Sequence, residues 1–465
     1  MSTTSAPPRR VGRAGISALG VLAVATGALE SVVTPTLPLL QRELDMTPAD
    51  GALLSIVLLI TGALITPVAG KLGDRFGGRK ILTRLMTVVA VGGLVSALAP
   101  SLPFLLLGQV LQGAMVGALP LSFILARKHL PAEESKVAIG VISGLFVGGG
   151  MVGTLAAGPV AEGLSRHWMF AIPTFVVIAA TVAVSRLLPT DEPGQTDKTR
   201  LDWAGLLLLS GALVTLMLAL SLAPEVASRP LALLGLLVLL GGLVIGWIAV
   251  ERRAAAPMVD LRMLALPTMW RSCVLTFVIC VGTSAAIYLV PQLLAVPTAD
   301  YGFGASATEI GLLLLPGAVA AAVAGPVSGV GVRRLGPRAV VTIGIVLLVT
   351  GLIGVAMVHT EVWHIVVAKT LIAFASGLCV TALVTNVATS VAESDTGIAS
   401  SLVLVTRVVG YAVGAQISGA LLTVSTPSGS SVPAESAFVT GFVLAGIVSA
   451  LAIIVTRTMK KEVTS

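Results

Sequence analysis

Charge is scarce in this chain of 465 residues: Asp, Glu, Lys and Arg make up 11% of it, aromatic residues 4%, and there are three cysteines and four histidines. A water-soluble domain carries about 25% charged residues. The low charge, with 56% hydrophobic residues and a mean hydropathy of +1.01, excludes one. Cys273, Cys280 and Cys379 all fall in apolar stretches, which excludes a disulfide framework and reads as reduced packing residues. His129, His167, His359 and His364 are scattered over loops and helix ends. Without metal-ligand spacing or a nucleophile constellation, the chain is expected to hold no metal, to need no cofactor and to be no enzyme. A phosphate loop is excluded as well, because Ile65 stands where a P-loop ending in Gly70 and Lys71 needs its first glycine. Gly148, Gly150 and Gly153 match G-x-G-x-x-G, but inside an apolar run rather than after a strand. The period-two alternation of a membrane barrel is missing too.

Long apolar runs are what the chain has. They lie near 14–40, 50–70, 80–99, 102–126, 137–161, 167–188, 203–223, 230–250, 271–295, 306–330, 338–358, 362–390, 397–423 and 435–457. About 20 apolar residues cross a hydrocarbon core as a helix that satisfies its own backbone, so fourteen transmembrane helices are expected. With the N-terminus inside, only Arg42, Arg166 and Arg229 of the 29 basic residues fall on outer loops, and only Lys369 and Arg407 fall within spans. Lys and Arg favour cytoplasmic loops, so a multi-pass protein of the cell membrane with both termini cytoplasmic is expected. The net charge of +7 is thereby spread along one leaflet, not gathered into a basic stripe with interleaved aromatics, and nucleic acid is excluded as a partner. Arg9 and Arg10 precede a run too long for a signal-peptide core, with no small-residue cleavage site, so the first helix is read as retained.

The chain repeats itself. TPVAGKLGDRFGGRK (66–80) laid over GPVSGVGVRRLGPRA (325–339) matches Pro67 to Pro326, Gly70 to Gly329, Arg75 to Arg334, Gly77 to Gly336 and Arg79 to Arg338 at a constant offset of 259. Parallel repeats build transporters around a central site. The expected fold is an all-α membrane protein of two pseudo-symmetric six-helix bundles with two extra inserted helices. The bundles would span 1–188 and 271–465, with linkers and the inserted pair in 189–270.

GKLGDRFGGRK (70–80) crowds charges and glycines at a helix junction. The glycines permit a tight turn and close helix approach; Asp74 suits a pairing with Arg75 or Arg79, or a helix N-terminus. This stretch resembles the loop signature between helices two and three of the major facilitator superfamily. Ala157-Gly158-Pro159 is similar to the Gly-Pro signature of the superfamily's drug:proton antiporters, and Arg166 to Phe170 resembles the Trp-x-x-Phe start of the sixth helix. ERRAAAPMVDLRML (251–264) resembles the segment after the inserted helices in the fourteen-helix branch. The resemblance implies alternating access, with cytoplasmic gating by Gly70, Asp74, Arg75, Gly77 and Arg79. In the second copy Arg333 stands where the first has Asp74, so gating there, with Arg338, is expected to be asymmetric. Glu162 replaces the first of two glycines that normally follow the Gly-Pro pair, and its spacing suits an ion pair with Arg166.

Charges inside spans are costly unless paired or wetted, which singles out Glu30, Lys369 and Arg407. Arg407 begins an element similar to the Arg-x-x-Gly of the fourteen-helix branch. The fourth helix of the superfamily usually carries an Arg three residues before its Gln-Gly pair, where this chain has Gln109 before Gln112 and Gly113. The repeat sets Gln109 opposite Lys369, and the expectation is that Lys369 supplies the missing cation to a proton-carrying Glu30. Gln109, Gln112, Tyr288, Gln292 and Gln416 are the candidate polar contacts of an apolar substrate cavity, or else helix–helix glue. The expected function is export of amphiphilic drugs, antibiotics or secreted metabolites in exchange for protons, as in multidrug efflux and antibiotic resistance. The alternatives are an uptake symporter or uniporter for a small nutrient, which calls for more polar spans, and a receptor or scaffold, which leaves the repeat and the buried charges unused.

Overall fold

The computed structural model describes residues 13–130, 132–189, 203–222, 229–253, 261–390, 396–426 and 432–457, and among these there is no strand. The helices of the first half are α1 (Arg13–Ser31), α2 (Val33–Glu43), α3 (Pro48–Phe76), α4 (Gly78–Ala97), α5 (Leu102–Gln112), α6 (Ala118–His129), α7 (Ala132–Gly163) and α8 (Arg166–Leu187). Then come α9 (Trp203–Leu222), α10 (Pro230–Glu251) and the short α11 (Leu261–Leu264). The second half holds α12 (Pro267–Ala295), α13 (Ala307–Leu335), α14 (Pro337–Met357), α15 (Val362–Ser390), α16 (Thr396–Val424) and α17 (Glu435–Arg457).

Among the described residues, twelve helices are long and apolar enough to cross a membrane. The expectation of fourteen exceeds this by two; among their described residues α3 and α9 hold the shorter apolar stretches Pro48–Gly62 and Leu207–Leu216. The first span is broken between α1 and α2. Pro35 has no N–H for the Ser31 carbonyl and Pro38 none for that of Thr34, so the ladder loses two bonds within one turn. The run 102–126 is also interrupted, by a 3-10 turn over Gly113–Gly117.

One buried apolar core runs through both bundles. α9 packs on α3 and α16, and α10 leans on α9. Nothing in the apolar window of α10 is buried against other helices, and Leu231 is 82% exposed.

The internal repeat is built into the backbone. Gly77 (φ 94°) joins α3 to α4 and Gly336 (φ 78°) joins α13 to α14; both sit in the left-handed region that side chains disfavour. Their N–H groups donate to the Gly73 and Val332 carbonyls at 2.9 and 3.0 Å. At the other ends of α3 and α13 stand two capping boxes. Thr47 and Asp50 exchange bonds of 3.1 and 3.0 Å, and Ser306 and Glu309 exchange bonds of 3.2 and 2.8 Å. All four pairs of positions keep the offset of 259.

Candidate functional site

The hydrogen bonds between the halves that join two described residues all lie at one end of the bundle, where α2 meets α3 and α12 meets α13. Gln41 of α2 donates to the Tyr288 hydroxyl of α12 at 3.3 Å, Tyr288 donates to the Pro48 carbonyl, and Gln292 donates to the Gln41 side-chain carbonyl. Arg42 donates to the Ala295 carbonyl at 2.8 Å. The starts of α3 and α13 are each held by the opposite half. The Ala49 N–H, second residue of α3, donates to Thr423 Oγ1 of α16 at 3.2 Å. The Thr308 N–H and hydroxyl, second residue of α13, donate to the Glu162 carboxylate of α7 at 3.2 and 2.5 Å. A helix N-terminus has spare N–H donors and a positive end, so a hydroxyl suits one latch and a carboxylate the other.

Close approach completes this seal. A Cβ on Gly158 would stand 2.3 Å from the Thr308 nitrogen, so the Gly-Pro element of α7 is what lets α7 and α13 touch backbone to backbone. The expected Glu162–Arg166 pair does not form, because Glu162 is taken by α13; Arg166 meets Glu43 at 3.5 Å and donates to the Ala99 carbonyl.

On one side of the seal, at mid-depth, lie the span charges. Glu30 ends the last full turn of α1, and the Arg407 guanidinium of α16 is close enough to act on its carboxylate electrostatically. Both side chains are half-buried, and Arg407 Nε has no hydrogen-bond partner among the described residues. One turn along α16, Tyr411 interacts with Ser376 and Cys280 and feels the same guanidinium. Arg407 is therefore the cation whose charge reaches Glu30, without an ion-pair contact between them. Lys369 lies on α15 with its stem beside Gly317 of α13 and carries no ion pair among the described residues, so the expected Glu30–Lys369 pairing is not brought together. The reason is packing: α15 nests against α13 and α14, whereas α16, which carries Arg407, packs on α12 and α3.

The amide candidates divide. Tyr288 and Gln292 belong to the seal, and Gln112 donates to Ser96 Oγ at 2.6 Å between α5 and α4, as helix glue. Gln109 and Gln416 are buried, with the Gln109 amide nitrogen and both Gln416 atoms unpartnered among the described residues. Of the gating residues, Gly70, Asp74 and Arg75 lie outside those whose surroundings are described. Arg79 donates to the Leu188 carbonyl at 2.6 Å and to that of Ser185, tying α4 to the end of α8 within one half. Arg333 is exposed and Arg338 half-buried at the matching turn.

On the other side of the seal is a cavity of about 700 Å³, lined by Gln41, Arg42, Asp45, Gln292, Pro433 and Phe438 among others. Its wall is fixed by Tyr301, whose hydroxyl donates to the Pro433 carbonyl and whose ring meets Phe438 edge-on at 6.1 Å. Burial, with the Glu435 and Asp300 carboxylates nearby, pushes that hydroxyl up to about 12, so it stays a donor. Sequence reasoning missed Gln41, Arg42, Thr423 and Tyr411. The S/T-x-x-D/E patterns at 47–50 and 306–309, one repeat apart, were the available signal for where the halves meet.

The sequence pattern of the Major Facilitator Superfamily matches residues 19–292 and 272–464. An uncharacterized MFS-type transporter of Mycobacterium tuberculosis is 29% identical over 86% of this chain and 58% of its own length; the chain thus spans less than two thirds of that relative. The Multidrug resistance protein B homolog of the same species is 26% identical over 78% of this chain and 67% of its own. In structure the chain is similar to the nucleoside transporter NupG, with a TM-score of 0.70 at 12% identity, covering 96% of this chain and 100% of that one. It is also similar to a bacterial homolog of the human lysosomal transporter Spinster, with a TM-score of 0.66 at 15% identity, covering 95% and 94%.

Proposed function

Because the chain belongs to the major facilitator superfamily, we propose that it is a secondary active transporter that exports amphiphilic drugs, antibiotics or secreted metabolites against an inward flow of protons. The observation that carries this reading is that the Arg407 charge of one half acts on the Glu30 carboxylate of the other. The carboxylate of one half lies within electrostatic reach of the guanidinium of the other, without an ion-pair contact, in spans where an uncompensated charge is costly. A proton arriving on Glu30 releases Arg407 and loosens the halves; departure of the proton restores the attraction. Substrate entering between them competes for the same groups, and that differential is what couples two ligands.

From the basic loops we read the sealed end as facing outward and both termini as facing the cytoplasm. Counting α3 and α9 as spans gives the fourteen-helix antiporter type, with bundles 1–188 and 271–465 about the inserted pair. A relative named as a multidrug resistance protein homolog supports a drug-like cargo. Everted membrane vesicles test the reading. An imposed proton gradient should drive accumulation of an amphiphilic dye, and dye should drive proton release. Accumulation that ignores the gradient would overturn proton antiport.

A further inference from the structure

The cavity beyond the seal plays no part in that cycle, yet one of its charged groups is unspent. Asp45, at the turn after α2, is the one non-glycine residue at positive φ among those described (φ 49°). That φ is the left-handed step that ends α2, with the Met46 N–H donating to the Gln41 carbonyl, and it leaves the exposed Asp45 carboxylate lining the cavity without a hydrogen bond or ion pair to a described residue. Arg42 lines it as well, held in place through its bond to the Ala295 carbonyl. The two opposite charges stand on neighbouring turns without neutralising each other. The amides of Gln41 and Gln292 form the floor, and Phe438 and Pro433 supply an apolar wall. A volume near 700 Å³ lies within the range of about 300–1,000 Å³ usual for drug-sized ligands.

We propose that this cavity is a second ligand site, which takes an amphiphilic zwitterion: an ammonium on Asp45, a carboxylate on Arg42 and an apolar ring system against Phe438 and Pro433. Such a ligand touches α2 of one half and α12 and α17 of the other, so it fits only while the seal is shut. Binding therefore stabilises the sealed state and slows export from the outer face. That consequence rests on the transport reading; the binding does not.

The test is a fluorescence-anisotropy titration of the full chain in lipid nanodiscs with ciprofloxacin, a fluorescent zwitterion, as probe. Saturable binding is expected. Asp45→Asn should weaken it about tenfold, the scale of one charge-assisted contact, and so should Asp45→Gly, which keeps the positive φ without the carboxylate. The ethyl ester of the probe should bind about tenfold more weakly by losing Arg42. Lys369→Gln should leave affinity within about twofold, since Lys369 lies on α15 beside Gly317, away from the cavity lining. No saturable binding, or binding that both Asp45 variants retain, overturns the proposal. So does binding that Glu30→Gln abolishes and Asp45→Asn spares, which places the probe in the central cavity. Because no transport is read, an inactive transporter that binds the probe in this way contradicts the export reading and leaves the site standing.

Discussion

The turn at Gly77 and the turn at Gly336 are one turn made twice, and so are the capped starts of α3 and α13. The centres of the two halves differ. The first contributes a carboxylate, Glu30; the second contributes two cations, Arg407 and Lys369, of which only Arg407 acts on Glu30. The latches differ in the same way, a hydroxyl at Thr423 and a carboxylate at Glu162 holding equivalent N–H groups. Repetition is kept where it shapes the backbone and dropped where it sets charge. A rocking machine needs two similar levers, but coupling to a proton needs unlike groups between them.

The sharpest test of that asymmetry is at the centre. Glu30→Gln should reduce proton-coupled efflux by about 100-fold or more while leaving insertion intact, because it removes the titrating partner of Arg407. Arg407→Gln should approach the same loss, and Lys369→Gln should stay within roughly threefold of wild type. Substrate-induced proton release in everted vesicles measures all three. A Lys369 variant as damaged as the Arg407 variant would restore Lys369 to the coupling path and break the comparison.

Next in size is the contact that the seal cannot do without. Gly158→Val puts atoms where the Thr308 nitrogen already lies 2.3 Å from a bare Cβ, and both neighbours are helix backbone that gives little. The seal should fail to close, with efflux down about tenfold, since a misfit of even an ångström at such a contact is felt. Normal efflux at normal expression would show that α7 and α13 separate without loss.

How far the sequence carried is visible in these same residues. Gly77, Gly336 and Gly158 were legible, because a glycine at a helix junction or after an apolar face has few other uses, and the offset of 259 doubled the signal. Glu30 and Arg407 were legible as charges too deep to be idle. Their pairing was not: a linear repeat sets Gln109 opposite Lys369 but says nothing of which face of α15 or α16 turns inward. Glu162 was misread for a related reason. Spacing along one helix favoured Arg166, and only the packing of the halves brings the N-terminus of α13 to the carboxylate. Tyr288 and Gln292 look like cavity residues in a sequence because a polar side chain in a span has the same signature whether it binds cargo or closes a gate.

The repeated turns give a matched pair of smaller effects. Gly77→Ala and Gly336→Ala each force a side chain into the left-handed region at a cost of about 1–2 kcal/mol. If the halves are alike in backbone, thermal unfolding in detergent should drop by a similar amount for both. A clear difference between them would mean that one turn is held by its charged neighbours and not by its own geometry.

The smallest effect asks whether the two latches are unequal. Both hold the second N–H of a helix, but Glu162 brings a charge to the positive helix end and takes the Thr308 hydroxyl as well. An exposed capping carboxylate is worth about 0.5–1 kcal/mol after solvent screening. Thr423→Val loses one neutral bond between the halves, besides the bond that its hydroxyl donates to the Gly419 carbonyl within α16, and so lies nearer the lower end of that range. Glu162→Ala should therefore shift the population towards an opened seal by roughly threefold, and Thr423→Val by less than about twofold. Spin labels at Leu164 and Asp300, one on each half at this end, read the shift as growth of a longer distance. Glu162→Gln separates charge from contact: it keeps an acceptor for the Thr308 N–H, so an intermediate shift supports the charge argument. A Glu162→Gln distribution indistinguishable from wild type, with Glu162→Ala opened, would make the latch a plain hydrogen bond and the two halves more alike than their residues suggest.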